Sequence, residues 1–137
     1  MSPTRVLIVD DQPVFRQAAR DLLEARGYSV VAEACGLATA RKALASTAPD
    51  AVLLDVCLGE ESGFDVARAL TGERPDLAVL LVSADACDGG HEYARECGAR
   101  GFVLKARLVD ADLNTFWRQA AGVLAARERD ELRLPRR

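Results

Sequence analysis

The chain has 137 residues, enough for one domain with its own core, and its 50% apolar and 28% charged residues exclude a disordered or fibrous protein. With 21 acidic against 18 basic residues and a net charge of -3, it lacks the basic field that draws a protein onto nucleic acid, so direct nucleic-acid binding is not expected. The single histidine, His91, excludes most zinc, haem and histidine-based catalytic schemes, and the four cysteines, Cys35, Cys57, Cys87 and Cys97, lack paired C-x-x-C spacing and read as reduced thiols.

In chain order, short apolar runs alternate with amphipathic segments. Residues 5–10 (RVLIVD), 29–34 (SVVAEA), 51–55 (AVLLD), 77–83 (LAVLLVS) and 101–105 (GFVLK) are almost continuously apolar, as strands buried on both faces should be. Between the first two, residues 13–26 place Phe15, Ala18, Ala19, Leu22 and Leu23 on one helical face, with Pro13 in the first turn and Gly27 as the stop. Shorter helices are predicted at 37–46, 63–71 and 90–97, ending near Pro49, Gly72 and Gly98. A fifth, at 111–127, carries Leu113, Phe116, Trp117, Ala120, Ala121 and Leu124 at three-and-four spacing, and Trp117 reads as core. Strict alternation predicts a doubly wound α/β fold with a five-stranded parallel sheet. No run is long enough to span a bilayer and the N-terminus lacks a signal-peptide pattern, which predicts a cytoplasmic protein without membrane partners.

In open α/β sheets the working site lies beyond the carboxyl ends of the strands. Here those ends carry Asp10 and Asp11, Asp55, Ser83 and Lys105. Each alone has an ordinary structural use: strand-end aspartates cap helices, serines finish turns and lysines snorkel to water. Three carboxylates, a hydroxyl and an ammonium on one edge point instead to a shared chemistry. Adjacent carboxylates raise each other's cost of ionising, so a cation is expected among them.

The stretches VLIVDDQPVFRQ, PDAVLLDVCLGEESG, VLLVSAD and GARGFVLK, in this order and with Gly63 eight residues after Asp55, resemble the response-regulator receiver domain, the phosphoacceptor half of a bacterial two-component signalling pair. The resemblance covers residues 4–127 and leaves 128–137 as a charged tail. It implies a flavodoxin-like receiver fold with sheet order 2-1-3-4-5 and a signalling switch rather than an enzyme. Asp55 would accept a phosphoryl group from a histidine kinase or phosphotransfer protein. Mg²⁺ would be held by Asp11 and Asp55, by Asp10 through water, and by the backbone carbonyl of Cys57. Ser83 would sense the phosphoryl group, Lys105 would be its counter-charge, and Phe102 occupies the aromatic switch position. On phosphorylation Ser83 and its loop would move inward, Phe102 would turn in behind them, and the surface of helix four, strand five and helix five would engage a second copy or a downstream partner.

Two departures from the family pattern carry expectations of their own. Ala106 replaces the usual proline after the lysine, so a trans bond is expected there, and Gly59 replaces a proline after the phosphorylated aspartate, which predicts a looser loop. A haloacid-dehalogenase-type phosphatase would need an acid where Cys57 stands, and neither nucleotide-binding glycine motif is present. The remaining rival is a receiver-like docking module that works without phosphorylation. With no output-domain length after residue 127, the expectation is a stand-alone receiver or part of a longer protein.

Overall fold

The structure is a computed structural model and describes residues 3–117. Five strands, β1 (Arg5–Val9), β2 (Ser29–Ala34), β3 (Ala51–Asp55), β6 (Ala78–Ser83) and β7 (Gly101–Leu104), form a parallel sheet in the order β2-β1-β3-β6-β7. A two-stranded antiparallel hairpin, β4 (Cys57–Leu58) and β5 (Glu61–Ser62), lies between β3 and the next helix; with it set aside, the order is the predicted 2-1-3-4-5. The helices are α1 (Pro13–Ala25), α2 (Leu37–Thr47), α3 (Gly63–Glu73) and α4 (Gly90–Glu96), with a 3₁₀ helix over Lys105–Asp110.

The strand period of two divides the core into two layers. Val6 and Ile8, Ala51 and Leu53, and Ala78, Leu80 and Val82 face α1, where they pack with Ala19, Leu23, Leu113 and Trp117. Leu7 and Val9, Val52 and Leu54, and Val79 and Leu81 face the other way, against Ala40, Leu44, Val66, Leu70 and Ala94 of α2, α3 and α4. Both faces being covered is why these strands read as continuous apolar runs. Truncating a fully buried leucine such as Leu53 or Leu80 to alanine would cost about 2–5 kcal/mol. Trp117 is buried and meets Tyr28 edge-on at 5.2 Å, the core role expected of it.

The predicted strands and the first four predicted helices are present, with shifts at their ends. Helix α3 continues through Gly72 to Glu73, because Gly72 lies in open space without a positive φ and the stop comes with Arg74, next to Pro75. Helix α2 ends on Ala48, at φ 47°, where glycine is the usual residue; Pro49 disfavours a further right-handed turn there. Strand β7 stops at Leu104, and the backbone tightens at once into the 3₁₀ helix, so Lys105 begins a helix instead of ending a strand. The predicted fifth helix is helical at 114–117, and its remainder and the charged tail lie outside the described residues.

The loop bearing Gly59, expected to be looser than usual, is built as a paired turn. It is the turn of the hairpin, with Gly59 at φ 65° supplying the left-handed residue and Cys57 pairing with Ser62 and Leu58 with Glu61. The Glu61 carboxylate accepts a hydrogen bond from the Leu37 N–H at 3.1 Å, which ties the hairpin to the first turn of α2. The peptide bonds of the described residues are trans, that between Lys105 and Ala106 included.

Candidate functional site

Strand parity sorts the strand-end groups. Asp10 continues the series Val6, Ile8 and Asp55 the series Ala51, Leu53, so both belong to the α1 side, and Lys105 follows Val103 on that side. Ser83 follows Val79 and Leu81 to the opposite side, where Phe102 also lies.

Asp10, Asp11 and Asp55 each offer a carboxylate oxygen within 4.8 Å of the other two, and among the described residues this is the cluster that could hold a metal ion. Asp10 is wholly buried and Asp55 nearly so, while Asp11 is exposed at the rim. The Asp10 Oδ1 accepts a hydrogen bond from the Gln12 N–H at 2.8 Å, an Asx-turn bond that leads the chain into α1. The Asp55 Oδ1 accepts one from the Cys57 N–H at 3.2 Å.

Lys105 Nζ closes the pocket, 2.7 Å from Asp10 Oδ2 and 3.2 Å from Asp55 Oδ2, and it donates a hydrogen bond to the latter. The contact with Asp10 is an ion pair at charge-assisted hydrogen-bond distance, and among the described residues no other donor reaches the buried Asp10 Oδ2. Burial lifts the Asp55 carboxyl above its ordinary pKa, and the Asp10 charge adds to this; the Cys57 N–H and Lys105 work the other way. Burial alone would lower the pKa of Lys105, but the pairing with Asp10 and the charge of Asp55 outweigh it, so the ammonium is held above its usual range.

These residues suit a hard divalent cation. The donors are all carboxylate oxygens, and the three carboxylates that meet in the pocket carry two more charges than one ammonium can balance. Cys57 is exposed on the hairpin and its thiol is not part of the group.

The other predicted residues are placed differently. The Ser83 hydroxyl donates to the Asp85 carbonyl at 2.7 Å and accepts from the Asp85 N–H at 3.3 Å, so its bonds are with its own loop. Phe102, expected to turn in on phosphorylation, is already buried here, edge-on to His91 at 5.5 Å. It fits there because residue 90 is glycine: a Cβ at Gly90 would lie 3.0 Å from the Phe102 Cζ.

Two residues of the site, Arg16 and Phe15, were given no site role in the sequence, and Gly63 was noted there only for its spacing from Asp55. Gly63 lies so close behind Asp55 that a Cβ would fall 2.1 Å from the Asp55 carbonyl oxygen. Arg16 donates from Nη1 to the Asp10 carbonyl at 2.7 Å and from Nε to Glu33 at 3.0 Å, bracing the strand end from α1. The Phe15 ring lies under Lys105, with Nζ 4.0 Å from its centroid. Phe15 and Arg16 follow the adjacent acids by four to six residues, a proximity the sequence contains, although it does not say which way each side chain turns.

Fold and site together define a class: a flavodoxin-like α/β domain with an acidic pocket and one lysine at the carboxyl edge of its sheet. The chain belongs to the response regulator receiver domain family, whose model matches residues 6–113. It is 37% identical over 102 residues to the transcriptional regulatory protein KdpE of Mycobacterium tuberculosis, a match covering 74% of this chain and 44% of KdpE. With the DNA-binding transcriptional activator DevR/DosR of the same organism it shares 35% identity over 102 residues, covering 74% of this chain and 47% of that one. The chain thus spans about half the length of the curated relatives it matches.

Among solved structures, a two-component response regulator of the LuxR family from Aurantimonas sp. superposes with a TM-score of 0.79 at 30% identity, over 88% of this chain and 87% of that one. A response regulator protein from Burkholderia pseudomallei, solved with a phosphorylated aspartic acid, a calcium ion and citrate, superposes with a TM-score of 0.74 at 26% identity, over 90% of this chain and 72% of that one. No described helix is long and apolar enough to cross a membrane.

Proposed function

We propose that the unit spanning residues 4–127 is a phosphorylation switch in which Asp55 accepts a phosphoryl group from the phosphohistidine of a histidine kinase or phosphotransfer protein. A carboxylate oxygen of Asp55 forms a bond to phosphorus as the phosphorus–nitrogen bond of the donor breaks, leaving histidine and an acyl phosphate. Attack of one anion on another depends on positioning and charge cancellation more than on covalent chemistry by the protein. The single observation that carries the reading is the Lys105 ammonium set between Asp55 and Asp10 in a pocket of three carboxylates.

Each residue then has a task. Asp11 and Asp55, with Asp10 through water and the Cys57 carbonyl, would hold Mg²⁺. When bound, Mg²⁺ supplies two positive charges that offset the repulsion between carboxylate and phosphoryl oxygens. The Cys57 N–H fixes one oxygen of Asp55, and Lys105 offers a point charge to the incoming phosphoryl group. The Ser83 hydroxyl would exchange its bond to the Asp85 carbonyl for a stronger acceptor on phosphorus, drawing residues 84–89 with it. Output would follow at the face of α4 and β7, where a second copy or a downstream protein reads the change. The neighbour from Burkholderia, which carries both a phosphorylated aspartic acid and a divalent ion, supports this reading.

The test is labelling with acetyl phosphate or phosphoramidate, with Mg²⁺ and with chelator, read by intact mass. Mg²⁺-dependent gain of one phosphoryl group by wild type, and none by Asp55→Asn, is expected. No gain by wild type would favour the docking module.

A further inference from the structure

We infer that Phe15, on the first turn of α1, is a positioning residue for phosphoryl transfer: its ring face holds the Lys105 ammonium against Asp55 and steadies it as it moves to the phosphoryl group. The inference rests on the phosphoacceptor reading and adds to it a residue outside the polar set.

An ammonium has three N–H donors on a flexible four-carbon stem, and its default is to extend into water. Lys105 does the opposite: its side chain is only 15% exposed, and Nζ is directed inward between Asp10 Oδ2 and Asp55 Oδ2. The 3₁₀ turn that begins at Lys105 sets only its backbone. What meets the ammonium from α1 is the Phe15 ring, with Nζ 4.0 Å from the centroid, inside the range where the negative face of an aromatic ring attracts a cation. Phe15 is itself partly buried, packed against the α1 side of the core, so the ring is anchored by the fold.

The chemical nature of this third partner matters. Transfer requires Lys105 to keep its charge near Asp55 while changing oxygen partners, from carboxylate to phosphoryl. A hydrogen-bond acceptor in place of Phe15 would hold a donor in one direction and oppose that exchange. An aromatic face attracts charge without fixing a direction, and it covers the side of the ammonium that water would otherwise solvate. Phe15 therefore favours the inward lysine without competing for its donors.

The experiment compares wild type, Phe15→Leu and Phe15→Tyr, each also in a Lys105→Met background, for the rate of Mg²⁺-dependent labelling by phosphoramidate. Leucine keeps apolar bulk and loses the ring; tyrosine keeps the ring. The expected result is a fall of about three- to tenfold for Phe15→Leu, the size a part-buried cation–π contact carries, and restoration of most of the rate by Phe15→Tyr. In the Lys105→Met background the Phe15→Leu substitution should have no further effect. The ring-current shift of the Lys105 Cε protons, present in wild type and Phe15→Tyr and absent in Phe15→Leu, reports the contact itself, while dependence of the Phe15→Leu effect on Lys105 is the signature that a merely structural role would not produce. Equal rates for wild type and Phe15→Leu, or the same fall in the Lys105→Met background, would overturn the assignment of Phe15 and leave the phosphoacceptor reading intact. A wild type that gains no phosphoryl group would overturn both.

Discussion

The backbone of Gly63 packs against that of Asp55 so closely that a methyl group on it would sit 2.1 Å from the Asp55 carbonyl oxygen and 2.5 Å from the Val56 Cα. The Gly63 N–H donates to the Val56 carbonyl at 2.7 Å, so this approach is a hydrogen-bonded return of the chain to the strand it has just left. Both obstructing groups are backbone, and neither can rotate aside. Gly63→Ala is therefore expected to destabilise the domain by about 1–3 kcal/mol and to displace Asp55 from Lys105. Urea unfolding measures the first effect and phosphoramidate labelling the second. A variant of unchanged stability would mean that the hairpin relaxes freely and that this contact does not hold Asp55 in place.

The eight-residue spacing from Asp55 to Gly63 was legible in the sequence, but its cause was not, because a close approach of backbones leaves no mark beyond the glycine itself. The sheet was legible for the opposite reason. Runs such as AVLLD and LAVLLVS carry their burial in every residue, and parity then assigns Leu53 and Leu54 to opposite layers. The hairpin of Cys57–Leu58 and Glu61–Ser62 escaped because two-residue strands have no period to detect. The inward seat of Phe102 depends on the absence of a side chain at Gly90, twelve residues away, and the position of Phe15 under Lys105 depends on how α1 sits on the sheet. Neither relationship is local, so neither is written in spacing.

Asp55 should make the fold sensitive to pH in a definite direction. Burial, helped by the charge of Asp10, raises its folded-state pKa. A carboxyl that binds its proton more tightly in the folded state favours folding at acid pH and loses that advantage as pH rises from its unfolded pKa through its folded one. Towards pH 7 in chelator Asp55 therefore costs stability that it does not cost at acid pH, and Asp55→Asn is expected to melt about 2–5 °C above wild type there, with Lys105 keeping Asp10 as its partner. The gap should close as pH falls through the carboxylate range. Thermal melts of both proteins from pH 4 to pH 7 check this, and a gap that widened towards acid would show the sign to be wrong.

Asp11 differs from Asp10 in being exposed, so its charge is screened and its removal should disturb the metal-free fold little. In chelator, Asp11→Ala is expected to melt within about 2 °C of wild type, and on the high side, because one of three clustered carboxylates is gone. Excess Mg²⁺ should raise wild-type stability by about 2.7 kcal/mol at a hundred times its Kd, and that response should disappear in Asp11→Ala. Retention of the full Mg²⁺ response would remove Asp11 from the metal site.

Ser83 and Phe102 occupy the same side of the sheet, on the neighbouring strands β6 and β7, yet their present contacts are separate. The serine hydroxyl is bonded to Asp85, and the ring is packed beneath Gly90. Phe102 is already buried in this state. The element free to respond is the exposed run 84–89 between them, which begins at the Ser83–Asp85 bonds and ends at the first turn of α4 over the ring. Drawing the Ser83 hydroxyl to a phosphoryl oxygen would break its bond to the Asp85 carbonyl and pull this run from one end. A modification shifts an equilibrium only by its preference between states, so both states must be compared. Sedimentation of wild type and Ser83→Ala, each with and without beryllofluoride as a phosphoryl mimic, is expected to show a mimic-dependent change in self-association for wild type that is reduced about tenfold or more in Ser83→Ala, the loss of one charge-assisted hydrogen bond. Equal changes in the two proteins would remove Ser83 as the coupling residue and leave Lys105 as the group through which the pocket reaches β7.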